Sequence, residues 1–294
     1  MLPLTADEIL PLIRQALAED IGPGDVTSMA TVPEMARARA RMVAREPLVV
    51  AGLLLAETAF REVAPTLEIT TDIRDGDRLD TGQTLLTVSG TARGILTAER
   101  VALNFVQRLS GIATLTAQFV TAIEHTRTRI LDTRKTTPGL RRLEKYAVRC
   151  GGGHNHRFGL YDRVLIKDNH LAALRDARPN PIAAAVKRAR SAYPELLVEV
   201  EADTLDQVND ALAAGADIIL LDNMTPQELK EAVRRVAGQA QTEASGGVNL
   251  QTVRSIAATG VDFISVGALT HSARAVDIAL DFDEEPHLAT PPPR

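Results

Sequence analysis

The stretch that decides the fold runs from residue 197 to residue 245: LVEVEADTLDQVNDALAAGADIILLDNMTPQELKEAVRRVAGQAQTEAS. It contains three short apolar segments that are predicted to be strands, and two amphipathic segments between them that are predicted to be helices. The strands are residues 197–201, 217–222 and 242–245, and the helices are residues 205–214 and 226–236. This alternation is typical of right-handed βαβ units, in which the strands are parallel.

The same pattern extends outward from this stretch in both directions. Further strands are predicted at residues 129–133, 163–167 and 261–266. The last four strand ends, Glu201, Asp222, Ser245 and Gly267, recur at intervals of 21 to 23 residues. So regular an interval favours a parallel α/β barrel over an irregular doubly wound sheet.

The N-terminal third is organised differently. Residues 5–19 are predicted to form a helix, because Thr5 and Glu8 have the spacing of a capping box and apolar residues follow along one stripe. A strand is predicted at 36–45, two or three short antiparallel strands within 67–88, and a helical region over 91–125. A separate α/β region therefore precedes the barrel.

Composition excludes several classes of function. The 294 residues are 45% hydrophobic and 24% charged with a net charge of -5, which argues against a general binder of nucleic acid or of membrane surfaces. The single cysteine, Cys150, the absence of a signal-like start and the lack of a long apolar run lead us to expect a cytoplasmic protein. Any anion site must be local.

Polar or glycine clusters follow every predicted barrel strand. They are residues 132–135, 167–170, 199–201, 222–223, 245–247 and Gly267. The carboxyl ends of parallel barrel strands open on one face, where active sites lie. Only five lysines occur in the chain, and Lys135 and Lys167 are both at strand ends. A compact ammonium there suits a phosphate or carboxylate ligand, although a solvated strand cap is the alternative.

Three further clusters point to ligands. The glycine run 151–153 leads into His154, His156 and Arg157, a set that suits a carboxylate; zinc held with Cys150 is a weaker alternative, and Cys150 is better explained as a packed thiol. Carboxylates at Glu199, Glu201 and Asp222 could hold Mg²⁺, although Glu199 could equally form a salt bridge with the cations. The loops 245–247 and 265–268, the first leading to a helix predicted near Leu250, have the character of a phosphate cup.

Taken together, these motifs closely resemble quinolinate phosphoribosyltransferases, also called nicotinate-nucleotide pyrophosphorylases (carboxylating). The resemblance covers nearly the whole chain. Its landmarks are Glu19-Asp20, Gly24-Asp25-Val26-Thr27, Glu99-Arg100, residues 109–114, Asp132-Thr133-Arg134-Lys135-Thr136, residues 145–149 and 151–157, residues 166–170, 199–201 and 221–223, and residues 245–248.

The resemblance implies a fold and an assembly. It implies an N-terminal α/β sandwich domain (1–110), an incomplete, seven-stranded TIM-like α/β barrel (111–272) and a C-terminal segment (273–294) that returns to the first domain. It also implies a homodimer or higher homo-oligomer, in which Arg100 reaches the neighbouring subunit's active site.

The resemblance further implies roles for individual residues. Arg134, His156, Arg157, Lys167 and the partner's Arg100 would bind the two carboxylates of quinolinate. Lys135, Glu201 and Asp222 would face phosphoribosyl pyrophosphate, with Glu201 and Asp222 binding its Mg²⁺, and Lys135, Lys167, Glu201 and Asp222 would be catalytic. Substrate contacts are also expected at Thr133, Ser245, Gly246, Gly247, Val266, Gly267 and Ala268, mostly around the 5′-phosphate. No organic cofactor is implied.

The implied reaction joins quinolinate to the phosphoribosyl donor and releases pyrophosphate and CO2, giving nicotinate mononucleotide. Two alternatives remain open, and a third is excluded. A class I aldolase would use Lys167 to form a Schiff base. A relative that does not decarboxylate would make the same bond without losing CO2. A lipoyl or biotinyl carrier is suggested by the turns at Gly76 and Gly82, but no lysine precedes Lys135 to serve as the attachment site.

Overall fold

A computed structural model describes residues 4–283. Its elements in chain order are α1 (Ala6–Ile21), α2 (Val26–Thr31), β1 (Arg37–Ala44), β2 (Leu48–Val49), α3 (Leu53–Val63), β3 (Glu68–Thr70), β4 (Arg78–Leu79), β5 (Thr84–Thr91), α4 (Ala92–Ala122), β6 (Arg129–Leu131), α5 (Arg141–Cys150), β7 (Val164–Ile166), α6 (Asp168–Ala172), α7 (Pro181–Ala192), β8 (Val198–Ala202), α8 (Leu205–Ala213), β9 (Ile218–Asp222), α9 (Pro226–Val236), β10 (Gln241–Ser245), α10 (Val253–Ala257), β11 (Phe263–Ser265), α11 (Ala268–His271) and β12 (Ile278–Phe282). None of the helices within this range is both long and apolar enough to cross a membrane.

The described chain divides into two compact units. The first comprises residues 4–115, 142–152 and 273–283, and the second comprises residues 116–141 and 153–272. Residues 142–152, which the sequence analysis places in the barrel domain, are therefore counted with the first unit. Of the C-terminal segment predicted to return to the first domain, residues 284–294 lie outside the described part of the chain.

The first unit is built on an antiparallel sheet with strand order β12-β1-β5-β3. Helix α1 begins at the predicted cap, where the Thr5 hydroxyl accepts a hydrogen bond from the Glu8 amide at 3.3 Å. Its predicted apolar stripe is buried at Ile9, Ile13 and Leu17. At the other end of the chain, β12 pairs with β1, with Ile278 opposite Ala44. The unit thus combines segments from both ends of the chain.

The second unit is an open α/β barrel whose parallel strands follow the order β6-β11-β10-β9-β8-β7. All six strands predicted from the sequence are present, with ends shifted by at most a few residues. The expected seventh strand is reduced to a single parallel bridge between His154 and Leu131, at the free edge of β6. Within the described residues the barrel therefore has six strands and one bridge.

Alternation along the strands separates the side chains of the barrel into two sets. On β8, Val198, Val200 and Ala202 are fully buried on one side, while Glu199 and Glu201 point to the other. The parallel register then places Glu201 opposite Leu220 of β9, and Leu220 opposite Glu243 of β10. The barrel consequently holds acidic side chains from β8 and β10, the two strands on either side of β9.

Candidate active site

A cavity of about 640 Å³ lies at the carboxyl ends of the barrel strands, within the range typical of small-molecule sites. It is lined by most of the predicted site residues: Thr133, Arg134, Lys135, His156, Arg157, Lys167, Glu201, Asp222, Ser245, Gly246 and Gly247. Five residues not predicted as site residues also line it: Leu165, Leu220, Asn223, Glu243 and Ser265. The strand-end rule therefore located one common site.

Cationic side chains from the segments after β6 and around His156 occupy one part of the lining. The loop after β6 is held by two hydrogen bonds: the Lys135 amide donates to the Thr133 hydroxyl at 3.0 Å, and the Thr270 hydroxyl donates to the Lys135 carbonyl at 2.7 Å. Arg157 is 8% exposed. Burial lowers the pKa of its guanidinium, and the nearby charge of Arg134 lowers it further. These buried like charges create a site that favours an anion.

His156 is fixed by partners on its backbone and on both ring nitrogens. Its amide donates to Asp132 at 2.9 Å, and the Arg157 amide donates to His156 Nδ1 at 2.7 Å. Because Nδ1 accepts, we assign the ring proton to Nε2, which lies 3.2 Å from Glu199 Oε2. His156 thus lines the cavity with its imidazole ring held in one orientation.

Glu199 belongs to the interior rather than to the mouth. It is completely buried, and it pairs with Arg163 Nη1 at 3.1 Å as well as with His156. Burial favours the neutral form, but the hydrogen bonds and charges of His156 and Arg163 outweigh it and lower the pKa of Glu199. Of the two roles considered for Glu199, the structure therefore shows the salt bridge.

Three carboxylates meet at the mouth of the barrel. Oxygen atoms of Glu201, Asp203 and Asp222 all lie within 4.8 Å of one another. Burial and the charge of Asp203 raise the pKa of Asp222, as expected for acids that share a small space. Asp203 was not predicted as a site residue, although it continues the two-residue alternation of Glu199 and Glu201 and so lies on the same side of the strand.

Lys167 lies beside this carboxylate cluster, with its Nζ 3.2 Å from Glu201 Oε2. A Schiff-base lysine must react as the neutral amine, and a carboxylate partner favours the charged ammonium. The geometry of Lys167 therefore suits electrostatic binding and does not favour the aldolase alternative.

The glycine loop after β10 approaches Asn223 closely. Gly246 and Gly247 have φ angles of +97° and +59°, and a side chain on Gly246 would collide with Asn223. The loop is held by a hydrogen bond of 2.9 Å from the Asn223 amide to the Ser245 carbonyl. The predicted helix near Leu250 begins only at Val253 and has five residues, whereas Gly246 and Gly247 of the loop line the cavity.

The remaining predicted residues are placed less directly. Val266 is 1% exposed. The cavity lining does not include Val266, Gly267 or Ala268, but it does include the preceding residue, Ser265. Gly267 nevertheless lies close to Lys135, because a Cβ there would be 3.2 Å from Lys135 Cδ. Arg100 belongs to the first unit, on α4, where its side chain is 58% exposed and 4.0 Å from Glu99.

The zinc alternative finds no geometric basis within residues 4–283. The groups of potential metal ligands found there are His156-Glu199-Glu243 and Glu201-Asp203-Asp222, and neither includes Cys150 or His154. Burial, with the charge of Asp75, raises the pKa of Cys150 to about 12. A thiol of this kind is a packed side chain rather than a ligand or nucleophile.

Family models identify the chain over almost its full length. The model for the quinolinate phosphoribosyl transferase N-terminal domain matches residues 25–110, and the C-terminal domain model matches residues 112–281. The chain belongs to the quinolinate phosphoribosyltransferase family. Among its relatives is the nicotinate-nucleotide pyrophosphorylase [carboxylating] of Mycobacterium leprae, 48% identical over 92% of this chain and 95% of the relative.

Other members of the quinolinate phosphoribosyltransferase family agree in sequence and in structure. The probable nicotinate-nucleotide pyrophosphorylase [carboxylating] of Bacillus subtilis is 42% identical over 93% of both chains. The solved nicotinate-nucleotide pyrophosphorylase of Francisella tularensis superposes with a TM-score of 0.90, at 40% identity, over 96% of this chain and 98% of that one. The predicted fold class, an N-terminal α/β domain with a TIM-like barrel, is therefore confirmed.

Proposed function

We propose that the protein transfers the phosphoribosyl group of phosphoribosyl pyrophosphate to quinolinate and removes one carboxylate, giving nicotinate mononucleotide, pyrophosphate and CO2. The observation that carries this proposal is a single barrel cavity with buried cations on one side and a carboxylate cluster beside a glycine loop on the other. Relatives that share more than 40% identity over most of the chain bear the names of carboxylating nicotinate-nucleotide pyrophosphorylases.

The cationic part of the lining suits the dicarboxylate. Arg134 and Arg157 offer planar donors that can bind carboxylates through two parallel hydrogen bonds, and Thr133 supplies a hydroxyl beside them. His156, with its ring already oriented, shapes the floor. Because these cations are held close together before any ligand arrives, the bound dicarboxylate neutralises a charge that the free protein must tolerate.

The other part of the lining suits a phosphorylated sugar with a divalent cation. Glu201, Asp203 and Asp222 supply three oxygen ligands within one small space, the donor set that Mg²⁺ prefers. Bound Mg²⁺ would neutralise charge on the leaving pyrophosphate. The loop Ser245-Gly246-Gly247 has the backbone conformation needed to bring amides close to the 5′-phosphate, and Gly267 near Lys135 extends the same edge.

The chain's own charges support the chemistry in both halves. Lys135 would stabilise negative charge on the departing pyrophosphate, and Lys167 would hold a carboxylate of quinolinate. The acids of the cluster would favour positive charge developing on the ribose carbon. The pyridine nitrogen attacks that carbon and becomes quaternary. Once charged, the ring draws electrons from the adjacent carbon–carboxylate bond, so CO2 leaves without an organic cofactor.

We also propose that the active enzyme is a homodimer or a higher homo-oligomer in which the partner subunit's Arg100 contributes to the dicarboxylate site. The support is the chemistry of Arg100: a guanidinium on α4 that is 58% exposed and held only by a 4.0 Å pair with Glu99 within the described residues. Mixing an Arg100→Ala variant with a variant inactive in the barrel should restore activity, since one of the hybrid sites would be complete.

The reaction is tested by incubating the protein with quinolinate, phosphoribosyl pyrophosphate and Mg²⁺ and measuring pyrophosphate, CO2 and nicotinate mononucleotide. All three should form in equal amounts. Formation of pyrophosphate without CO2 would indicate an enzyme that does not decarboxylate. The absence of both products would refute the proposal.

A variant with its matched control sharpens this test. Lys135→Ala should abolish pyrophosphate release, whereas Lys187→Ala, which removes an exposed lysine of α7 in the same unit, should leave it intact. Full turnover by Lys135→Ala would contradict the assignment of the cavity as the phosphoribosyl site.

A further inference from the structure

Glu243 is a buried acid at the floor of the cavity that the proposed mechanism does not use. It lies on β10 and is completely inaccessible to solvent. It nevertheless lines the cavity, as do Leu220 and Ser245. Neither carboxyl oxygen has a hydrogen-bond partner of acceptable geometry within the described residues. The nearest cationic or imidazole nitrogen is His156 Nε2, 3.5 Å from Glu243 Oε1. Buried polar groups without partners are rare and costly.

The surroundings of Glu243 favour its neutral form. Arg163 already pairs with Glu199 at 3.1 Å, and His156 Nε2 lies 3.2 Å from the same Glu199 carboxylate. A second buried negative charge would have no compensating cation. Burial and then the charge of Glu199 raise the pKa of Glu243 well above its usual value, with only the Ser265 hydroxyl and Arg163 acting against them. The protonated form of Glu243 is therefore favoured.

A proton is what the second half of the proposed reaction lacks. When CO2 leaves, the carbon–carboxylate bond breaks and its electron pair stays on the ring carbon next to the quaternised nitrogen. That carbon must gain a proton before nicotinate mononucleotide can leave. Among the acids that line the cavity, Glu201 and Asp222 belong to the carboxylate cluster proposed to bind the metal, whereas Glu243 belongs to a different group, with His156 and Glu199.

We propose that Glu243 is the catalytic acid that protonates the ring carbon after decarboxylation, a role that rests on the proposed function. The O–H bond of the Glu243 carboxyl breaks as the new C–H bond forms, leaving a carboxylate. The proton is replaced from water when the cavity opens to release the product. His156 and Glu199 form one buried group with Glu243, and His156 Nε2 lies 3.5 Å from Glu243 Oε1.

The test separates the two half-reactions. In Glu243→Gln, the amide keeps the size of the acid but cannot give up a proton as a carboxylic acid does. Pyrophosphate release should persist, CO2 release should slow by about 100-fold, in the range by which general acids accelerate reactions, and quinolinate mononucleotide should accumulate. Labelled CO2 added during turnover should also re-enter that intermediate, because the ring carbanion survives longer. Glu195→Gln, the same change at an exposed acid of this unit, should leave both steps unchanged.

Glu243→Met provides a second variant, since an apolar chain of similar length suits a buried site without partners. It should show the same selective loss of CO2 release. Equal slowing of pyrophosphate and CO2 release in both variants, or undiminished CO2 release in either, would overturn the role of Glu243. Normal CO2 release by Glu243→Gln together with slow CO2 release by Glu243→Met would also overturn the role, because the side chain would then act through hydrogen bonds and not as an acid. If the unmodified enzyme released no pyrophosphate, the proposed function itself would fail, which is a distinct outcome.

Discussion

Two neighbouring arginines of the barrel should respond in opposite ways to the same substitution, methionine, which keeps the stem and removes the charge. Arg163 compensates a buried carboxylate: its Nη1 lies 3.1 Å from Glu199, which is fully buried. Breaking a buried pair of this kind from one side costs about 3–5 kcal/mol. Arg163→Met should therefore lower the free energy of unfolding of the ligand-free protein by that amount.

Arg157 has the reverse situation. Within residues 4–283 its guanidinium makes one hydrogen bond, from Nη1 to the Arg163 carbonyl at 3.3 Å. The repulsion by Arg134 outweighs the attraction by Glu199 and by Asp162 taken singly. Losing that bond costs about 1–2 kcal/mol at most, and relief of the repulsion offsets part of it. Arg157→Met should thus leave the ligand-free protein nearly as stable as before. Dicarboxylate binding should suffer instead, because a lost charged hydrogen-bonding group of about 3 kcal/mol corresponds to roughly a 100-fold weaker Kd.

Both effects can be measured on the free protein. Urea unfolding followed by circular dichroism gives stability, and isothermal titration calorimetry with quinolinate gives affinity. The expected result is a large stability loss only in Arg163→Met, and a specific affinity loss with retained stability in Arg157→Met. If Arg157→Met were destabilised as strongly as Arg163→Met, or bound quinolinate normally, the assignment of Arg157 as a preformed anion-binding cation would be refuted.

Two further predictions concern the other side of the cavity. The pKa of Asp222 is raised above 3.8 in the folded protein, so between 3.8 and the raised pKa the folded protein binds more protons at this group than the unfolded chain does. The free energy of unfolding therefore falls as the pH rises through this range. Asp222→Asn should therefore be more stable than the unmodified protein in metal-free urea unfolding at neutral pH, and a loss of stability there would contradict the repulsion with Asp203. Gly246→Ala should raise KM for phosphoribosyl pyrophosphate by about tenfold or more, because the new side chain strikes Asn223 at the phosphate loop. Gly215→Ala, with a similar φ of +78° but open space around it, should show a comparable backbone cost and normal kinetics.

Most of the barrel could be predicted from sequence because each βαβ unit is local. The strand after residue 197 and its neighbours are apolar runs with helices between them, and their ends fall within a few residues of the predicted ones. The parts that could not be predicted depend on distant partners. Strand β12 exists because it pairs with β1, and the seventh strand shrinks to the His154–Leu131 bridge because only one residue of that segment meets the edge of β6.

The site could be predicted to the extent that strand ends face one opening. That rule found the cations, Glu201, Asp222 and the glycine loop without any knowledge of contacts. It missed Glu243 because this residue lies inside a strand, where an acid gives no signal of its own. The signal that could have found it is alternation: if Ser245 faces the cavity, Glu243, two residues earlier, must face the same interior.

The depth of a side chain in the barrel decides what its charge can do, and depth is the quantity that the sequence does not state. Glu199 and Glu201 are the same residue type on the same side of the same strand. One layer down, Glu199 is sealed from water, so its charge must be balanced within the protein by Arg163 and His156. One layer up, Glu201 belongs to a carboxylate cluster that lines the cavity, and its cationic partner is the half-exposed Lys167, with Nζ 3.2 Å away. Glu243 belongs to the buried cluster with Glu199, and because Arg163 is already paired with Glu199, the neutral form of Glu243 is favoured.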